Sequence, residues 1–377
     1  CDQAGRLPTA ASPFATEAKA KLAKLLAEVT PGDIRKTFFS TSGAEANEGA
    51  IKLARMASGK EKIIARYRSY HGSTFGAMAL TNDWRNWACE PSIPGVIHCL
   101  DPYCYRCPFG LTFPGCDLQC AKHVEEVIRF EGGAKRVAAF AAETIVGANG
   151  IIVPPDGYWQ KVREICDRHE VLLICDEVMV GFGRTGKWFA IEHWGVVPDI
   201  MTMAKGITSG YVPLGATSVR EKVARAFEEK MYVHGHTYSG HTLAMAAGVA
   251  TIEAYKADRL IERAAEMGEY LKKKALELME KHPSVGDVRG KGLFVGMELV
   301  KNRKTREPIH DPLVEGPRPT AKMKVLGEAM KEGVYCLPGV ASVIMLAPPL
   351  TINRDEIDFA MDVYDKALKL ADAEVQG

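Results

Sequence analysis

The stretch VLLICDEV, residues 171–178, decides the architecture of this chain. Its first five residues are all apolar, which is typical of a strand that is covered on both faces in a parallel sheet. Asp176 and Glu177 follow this run, at the edge where open α/β sheets place their ligand sites. A carboxylate there can hold a charged ring nitrogen or a metal ion, although a structural acid in a strand-ending turn would give the same pattern.

Apolar runs alternate with helical patterns on both sides of this strand. The sequence predicts strands at 37–41, 63–66, 137–142, 199–204 and 214–219, and helices at 15–29, 43–57, 158–169 and 242–281. This alternation predicts an α/β fold built on a parallel sheet.

After Pro283 the pattern changes to short strands, at 293–299 and 343–346, and one helix at 320–331. Such a pattern is typical of a smaller α+β domain. The predicted domains are an N-terminal helical segment at 1–30, a large domain at 31–282 and a small C-terminal domain at 283–377.

The composition argues against several classes of protein. Lys and Arg together number 48, and Asp and Glu together number 47, among 377 residues, so the net charge is +1. A nucleic-acid-binding protein usually has an excess of basic residues, so this charge balance argues against that class. No apolar run reaches about 20 residues, so no transmembrane helix and no membrane partner are expected. Cysteines in apolar patterns, such as Cys166 and Cys175, favour a cytoplasmic location.

The stretch TSGAEANE, residues 41–48, lies between a predicted strand and a predicted helix. Ser42, Gly43 and Ala44 are small, so a ligand can approach the backbone closely. The first N–H groups of the helix and its dipole can then bind a phosphate. An ordinary helix cap would have the same residue types.

Lys205 follows the apolar strand predicted at 199–204. A lysine at a strand end can enter a cleft, where desolvation makes its amine more nucleophilic; a surface lysine in a loop is the simpler interpretation. A phosphate-binding helix start, a strand-end acid and a strand-end lysine together match pyridoxal 5'-phosphate, which presents a phosphate, a ring nitrogen and an aldehyde.

On these residues, the chain resembles class III pyridoxal-phosphate aminotransferases of fold type I, from Thr9 to about Asp365. The most specific matching segments are FFSTSGAEANEGAIKLAR (38–55), YRSYHGSTFGAMALT (67–81), ICDEVMVGFGRTGKWFA (174–190) and PDIMTMAKGITSGYVPLGA (198–216). The resemblance implies a large, mostly parallel sheet domain, a smaller α+β C-terminal domain and pyridoxal 5'-phosphate as the cofactor. It also implies that the family's leading segment is absent before Cys1, so a trimmed N-terminus is expected.

The resemblance further implies roles for single residues. Lys205 would be the Schiff-base lysine, and Asp176 would pair with the ring nitrogen. The other implied cofactor-binding residues are Ser42, Gly43 and Ala44 at the phosphate, Tyr70, His71 and Val178 at the ring, Glu143 near the cofactor, and Thr237 at the phosphate of the other subunit. A homodimer with shared active sites is therefore expected.

The substrate region departs from relatives that use 2-oxoglutarate with ornithine or 4-aminobutyrate. Where those relatives carry a glutamate and its partner arginine, this chain has Ala148 and Met345. The patterns at 147–150, 158–159 and 208–213 are similar to ω-amino acid:pyruvate and taurine:pyruvate aminotransferases. The resemblance implies transfer from a terminal-amine donor (an ω-amino acid, a taurine-like compound or a diamine) to a small 2-keto acid, pyruvate in particular.

Four cysteines, Cys104, Cys107, Cys116 and Cys120, lie within a short stretch. Two close pairs of thiols can provide four sulfur ligands to a structural zinc ion or an iron–sulfur cluster. Two disulfides or four unliganded thiols are the alternatives that this spacing leaves open.

Two other functions remain open at this point. Lyases and aminomutases of the same family share these motifs, and a requirement for a keto acid would separate them from an aminotransferase. A metal-binding scaffold with an inactive pyridoxal-phosphate site is the non-enzymatic alternative, although the presence of both Lys205 and Asp176 argues against it.

Overall fold

The computed structural model describes residues 1–311, 315–316 and 318–376. Within these residues, seven strands form the main sheet: β1 Ile34–Ser40, β2 Lys62–Arg66, β3 Val96–Cys99, β4 Val137–Glu143, β5 Leu172–Asp176, β6 Ile200–Met203 and β7 Gly215–Arg220. Their order along the sheet is β1-β7-β6-β5-β4-β2-β3. Strand β7 is antiparallel to both of its neighbours, and the other neighbouring pairs are parallel.

Helices cover this sheet because its central strands are mostly apolar and are buried. Every residue of β4 and of β6 is buried, so each face of the sheet needs a cover. The helices before residue 282 are α1 Asp2–Arg6, α2 Glu17–Val29, α3 Gly43–Ser58, α4 Phe75–Leu80, α5 Trp84–Trp87, α6 Gln119–Phe130, α7 Tyr158–Arg168, α8 Glu221–Ala224, α9 Thr242–Ala257 and α10 Leu260–Lys281. Helix α3 packs on β4, β5, β6 and β7.

A second, antiparallel sheet follows in the chain. Its strands are β8 Val285–Lys291, β9 Phe294–Asn302, β10 Glu307–Pro308 and β11 Val343–Leu346, and its helices are α11 Ala321–Lys331, α12 Arg354–Ala367 and α13 Lys369–Asp372. Strand β9 pairs antiparallel with β8, β10 and β11. The predicted combination of a large, mostly parallel sheet with a smaller α+β unit is therefore confirmed.

The structure differs from the prediction in several elements. The helical pattern over 242–281 is two helices, because the chain turns at Asp258 and Arg259, where Arg259 has a left-handed φ of 50°. Strand β8 and helices α6 and α12 are additional to the predicted elements, as is the edge strand β3, which extends the parallel sheet beside β2.

The domain boundaries at residues 30/31 and 282/283 stay a proposal. Helix α10 ends just before the second boundary, and it packs on β8 and β9 of the second sheet. Residues 312–314, 317 and 377 of the predicted C-terminal domain lie outside the described residues. In the described part of the chain, no helix combines the length and the apolar character that crossing a membrane requires.

Candidate active site

The carboxyl ends of β4, β5 and β6 meet at one edge of the main sheet. Glu143 pairs with Asp176 in register, and Asp176 pairs with Thr202. A cleft of about 410 Å³ opens at this edge. The residues that line it are Thr41, Ser42, Gly43, Ala44, Tyr70, His71, Gly72, Ser73, Asp176, Val178, Ala204, Lys205, Thr208, Gly210, Val212, Pro213 and Leu214.

Asp176 is 3% exposed and is the one acidic residue among the described residues that line the cleft. Its carboxylate accepts hydrogen bonds from Nδ1 of His71 at 2.7 Å, Nδ2 of Asn47 at 2.8 Å and the backbone N–H of Val178 at 2.9 Å. Burial acts to raise the pKa of Asp176, but these hydrogen bonds and the His71 ring outweigh it, and the pKa lies below its ordinary value. The cleft therefore contains a buried, ionised carboxylate.

Lys205 lies two residues after the end of β6, at the neighbouring strand end, and lines the same cleft. It has a left-handed φ of 44°, a conformation that is uncommon outside glycine. The next residue, Gly206, lies against Phe182 so closely that a Cβ there would be 2.8 Å from the Phe182 Cβ. This packing holds the turn that directs the Lys205 side chain, and such strained residues cluster at functional sites.

The start of α3 forms the third wall of the cleft. The Ser42 Oγ accepts the N–H of Glu45, and within the described residues no hydrogen bond uses the N–H groups of Gly43 and Ala44. Gly43 is tightly packed, since a Cβ there would be 2.8 Å from the Cγ1 of Val178. Two free N–H groups and the positive end of a 16-residue helix are suited to a phosphate.

The segment from Tyr70 to Gly72 closes the cleft on the other side. The N–H of Tyr70 donates to Oε1 of Glu143 at 3.0 Å. Gly72 has a φ of 132°, and a Cβ there would be 2.5 Å from the Cβ of Ala44, so this segment packs directly on the start of α3. Tyr70 and Val178 both line the cleft.

Two of the predicted cofactor residues are outside the lining of this cleft. The buried carboxylate of Glu143 supports the wall, because it accepts the N–H of Tyr70 and, at 2.8 Å, the N–H of Gly147. Burial raises the pKa of Glu143, and the nearby charge of Asp176 adds to the effect. Thr237 is exposed on the segment 231–241, whose His236 lies 3.1 Å from Oε2 of Glu45.

Sequence reasoning missed Asn47, which orients Asp176. Its Nδ2 donates to Asp176 and to the carbonyl of His71, and its Oδ1 accepts from the hydroxyl of Thr202 at 2.9 Å. A signal was present in the sequence. Asn47 lies on the same helix face as Ala50, Ile51 and Ala54, and a polar residue on a buried face needs hydrogen-bond partners.

The predicted zinc ion or iron–sulfur cluster is not supported. Among the described residues, no group of three or more Cys, His, Asp and Glu side chains could hold a metal ion. The four thiols are free and are divided between environments, because Cys104 is exposed, Cys107 and Cys116 are half-buried, and Cys120 belongs to the hydrophobic core. Burial raises the pKa of Cys120 to about 12.

The residues of the cleft fit pyridoxal 5'-phosphate. The helix start offers free N–H groups to the phosphate, and the ionised Asp176 suits a cationic ring nitrogen. Lys205 is the one lysine or arginine among the described lining residues and suits an aldehyde. Tyr70 and Val178 are available for the two faces of a flat ring.

Comparisons with known proteins agree with this geometry. The family model described as aminotransferase class-III matches residues 4–368. The leucine/methionine racemase of Thermococcus litoralis is 38% identical over 348 residues, which cover 92% of this chain and 76% of the racemase. The taurine–pyruvate aminotransferase of Bilophila wadsworthia is 38% identical over 368 residues, covering 92% of this chain and 78% of that enzyme.

A solved structure gives the same result for the fold. The taurine:2-oxoglutarate aminotransferase from Bifidobacterium kashiwanohense, in complex with PLP and glutamate, is 40% identical to this chain. The two superpose with a TM-score of 0.94, over 100% of this chain and 84% of that one.

Proposed function

We propose the substrates of this chain, which belongs to the aminotransferase class-III family and is a pyridoxal-phosphate-dependent aminotransferase. It uses a terminal-amine donor and a small 2-keto acid. The donor class is an ω-amino acid, a taurine-like compound or a diamine, and the acceptor is pyruvate. The observation that supports the chemistry is one cleft in which Asp176 and Lys205 stand at neighbouring strand ends, opposite the start of α3.

Lys205 performs the proton transfers in this proposal. When bound, pyridoxal phosphate supplies an electron-withdrawing ring that stabilises negative charge at the carbon next to the donor nitrogen. The Nζ of Lys205 would hold the aldehyde end of the cofactor while no donor is present. With a donor bound, the same Nζ would take the proton from the amine-bearing carbon and return it to the carbon that carried the aldehyde.

The other residues of the cleft bind and orient. Asp176 keeps a proton on the ring nitrogen, and the ring of His71 holds the Asp176 carboxylate in place. Tyr70 and Val178 hold the two faces of the ring. The remaining roles in the proposal are phosphate binding by Ser42, Gly43 and Ala44, and support of the wall by Glu143.

The proposed choice of acceptor rests on Ala148 and Met345, the two positions where relatives that use 2-oxoglutarate carry a glutamate and an arginine. The carbonyl of Ala148 accepts the N–H of Val340, so the 147–150 turn contacts the segment before β11. Met345, on β11, lines a second, apolar cleft, apart from that of Asp176 and Lys205, with residues such as Val334 and Leu346. Arg318 is paired with Glu315 at 2.6 Å. A second carboxylate, as in 2-oxoglutarate, would lack a charged partner at Ala148 and Met345, and an unpaired buried carboxylate is costly.

The relatives do not decide the acceptor by themselves. By their names, one taurine enzyme of similar identity uses pyruvate and another uses 2-oxoglutarate. The residues Ala148 and Met345 are therefore what supports pyruvate here.

Racemisation is a second candidate function, because one relative at 38% identity is a leucine/methionine racemase. A racemase, a lyase or an aminomutase of this family would act without a keto acid, whereas transamination consumes one keto acid for each amine.

The metal-scaffold alternative has no support in the described residues, which contain no candidate metal cluster.

We also propose a homodimer with shared active sites and a cytoplasmic location. Large apolar side chains are exposed on two loop segments. They are Tyr211 in the segment 208–213, and Met231, Val233 and Tyr238 in the segment 231–241. A group of exposed apolar side chains is typical of a protein–protein interface, and the proposed role of Thr237 fits such an interface.

All ten cysteines are free thiols, which supports a reducing compartment and so the proposed cytoplasmic location.

Replacing Lys205 by alanine tests the proposed chemistry. Lys205→Ala should still bind the cofactor through its phosphate but lose turnover and the yellow absorbance at about 410–430 nm that covalent attachment gives. Lys187→Ala is the matched control, because Lys187 is an exposed lysine outside the cleft lining. Full activity in Lys205→Ala would contradict the assignment.

Mixing two inactive variants tests the shared active site. Lys205→Ala lacks the amine, and Thr237→Leu should lose activity at low cofactor concentration because it lacks the hydroxyl proposed to reach the partner's phosphate. In mixed dimers, one site keeps Lys205 from one chain and Thr237 from the other, so co-refolding should restore up to about one quarter of the parent activity. Mixed dimers that form, as seen by native mass spectrometry, but stay inactive would contradict the shared site.

The acceptor preference is tested with taurine or putrescine as a common donor. We expect kcat/KM for pyruvate to exceed that for 2-oxoglutarate by at least about tenfold, which requires about 1.4 kcal/mol of differential stabilisation. Steady-state kinetics with both acceptors measures the ratio. Equal efficiency, or a preference for 2-oxoglutarate, would show that another group binds the second carboxylate.

A further inference from the structure

Arg85 lies directly behind a wall of the cleft. Its guanidinium carbon is 4.0 Å from the centroid of the Tyr70 ring. The other arginine–tyrosine contacts in the described part of the chain are longer, from 4.9 to 5.7 Å. Tyr70 lines the cleft, whereas Arg85 is outside the lining formed by the described residues.

A buried carboxylate fixes the position of this guanidinium. Asp83 is fully buried, and its two oxygens accept the Nε–H of Arg85 at 2.9 and 3.1 Å. Arg85 also donates through its NH2 group to the same carboxylate. A planar guanidinium that is held by a two-oxygen partner keeps a fixed orientation, which a flexible ammonium would not.

The same carboxylate connects the Tyr70 segment to the 147–150 turn. Asp83 also accepts the Nδ2–H of Asn149 at 3.0 Å, and this amide donates to the carbonyl of Ser69 at 2.8 Å. Asn149 is 1% exposed and lies in the 147–150 turn, next to Ala148. Arg85, Asp83 and Asn149 thus join the residue before Tyr70, the Tyr70 ring and this turn.

We propose that Arg85 is a positioning residue, which holds the Tyr70 ring against the bound cofactor and links it through Asp83 and Asn149 to the substrate turn. This inference rests on the proposed function, in which Tyr70 covers the cofactor ring. A cation over one face of an aromatic ring is attracted to that face, and the stacking restricts rotation of the tyrosine side chain. Because Arg85 contacts neither cofactor nor substrate in this proposal, its effect passes through Tyr70.

The test compares Arg85→Met, Arg85→Lys and the control Arg354→Met in the full chain loaded with pyridoxal phosphate. Arg354 also stacks on a tyrosine, at 5.2 Å from the Tyr270 ring, but its side chain is 60% exposed. We expect Arg85→Met to weaken binding of pyridoxal phosphate by about threefold to tenfold and to change the visible circular dichroism of the bound cofactor. Arg85→Lys, which keeps a cation beside Asp83, should fold and show a smaller change, and Arg354→Met should match the parent.

A double-mutant cycle separates positioning from stability alone. In a Tyr70→Ala background, Arg85→Met should change cofactor affinity by less than about twofold, because the ring through which it acts is gone. An equal effect in both backgrounds, or an Arg85→Met protein with lower thermal stability but parental affinity and circular dichroism, would overturn the proposal. A parent protein that binds no pyridoxal phosphate would instead contradict the proposed function, and this inference with it.

Discussion

The hydrogen bonds that keep Asp176 ionised are the constraint on which the rest of the site depends. A carboxylate that is 3% exposed would favour its neutral form by burial alone. His71, Asn47 and the backbone of Val178 reverse this preference. They come from three separate parts of the chain, so the buried carboxylate keeps its charge only when β5, α3 and the segment after β2 are packed together.

The two sheets have different relations to the site. The main sheet positions the cleft, because Asp176 and Lys205 follow neighbouring strands. The second sheet contacts the 147–150 turn, since Arg289 on β8 donates to the carbonyl of Gly150 and, just before β11, the N–H of Val340 donates to the carbonyl of Ala148. In the proposed function this turn belongs to the substrate end, so changes in the second sheet are expected to affect substrate choice more than the chemistry at Lys205.

The sequence was informative where chemistry depends on local position. Lys205, Asp176 and Gly43 each stand at the end of a strand or the start of a helix, and an element end is visible as a change of pattern. Contacts between segments that are distant in the sequence leave no such local pattern, so the sequence alone does not predict them. The hydrogen bond from Asn47 to Asp176 joins residues that are 129 positions apart, and the stacking of Arg85 on Tyr70 depends on how a short helix packs.

Two sequence patterns are poor guides to three-dimensional structure here. The helical spacing over 242–281 continues across Arg259, whose left-handed φ of 50° separates the two helices. The cysteine cluster suggests a metal site because its members are close in sequence. Cys120, on α6, belongs to the hydrophobic core, and the described residues contain no group of side chains that could hold a metal ion.

The most direct test of the central claim is the rate of the first half-reaction, from amine donor to keto product, in an Asp176→Asn variant loaded with pyridoxal phosphate. Asparagine keeps the size of the side chain but cannot hold a proton on the ring nitrogen by charge. We expect a folded protein that binds the cofactor and reacts at least about 100-fold more slowly than the parent. A variant within a few-fold of the parent rate would contradict the central claim, because the buried charge of Asp176 would then not be what activates the cofactor.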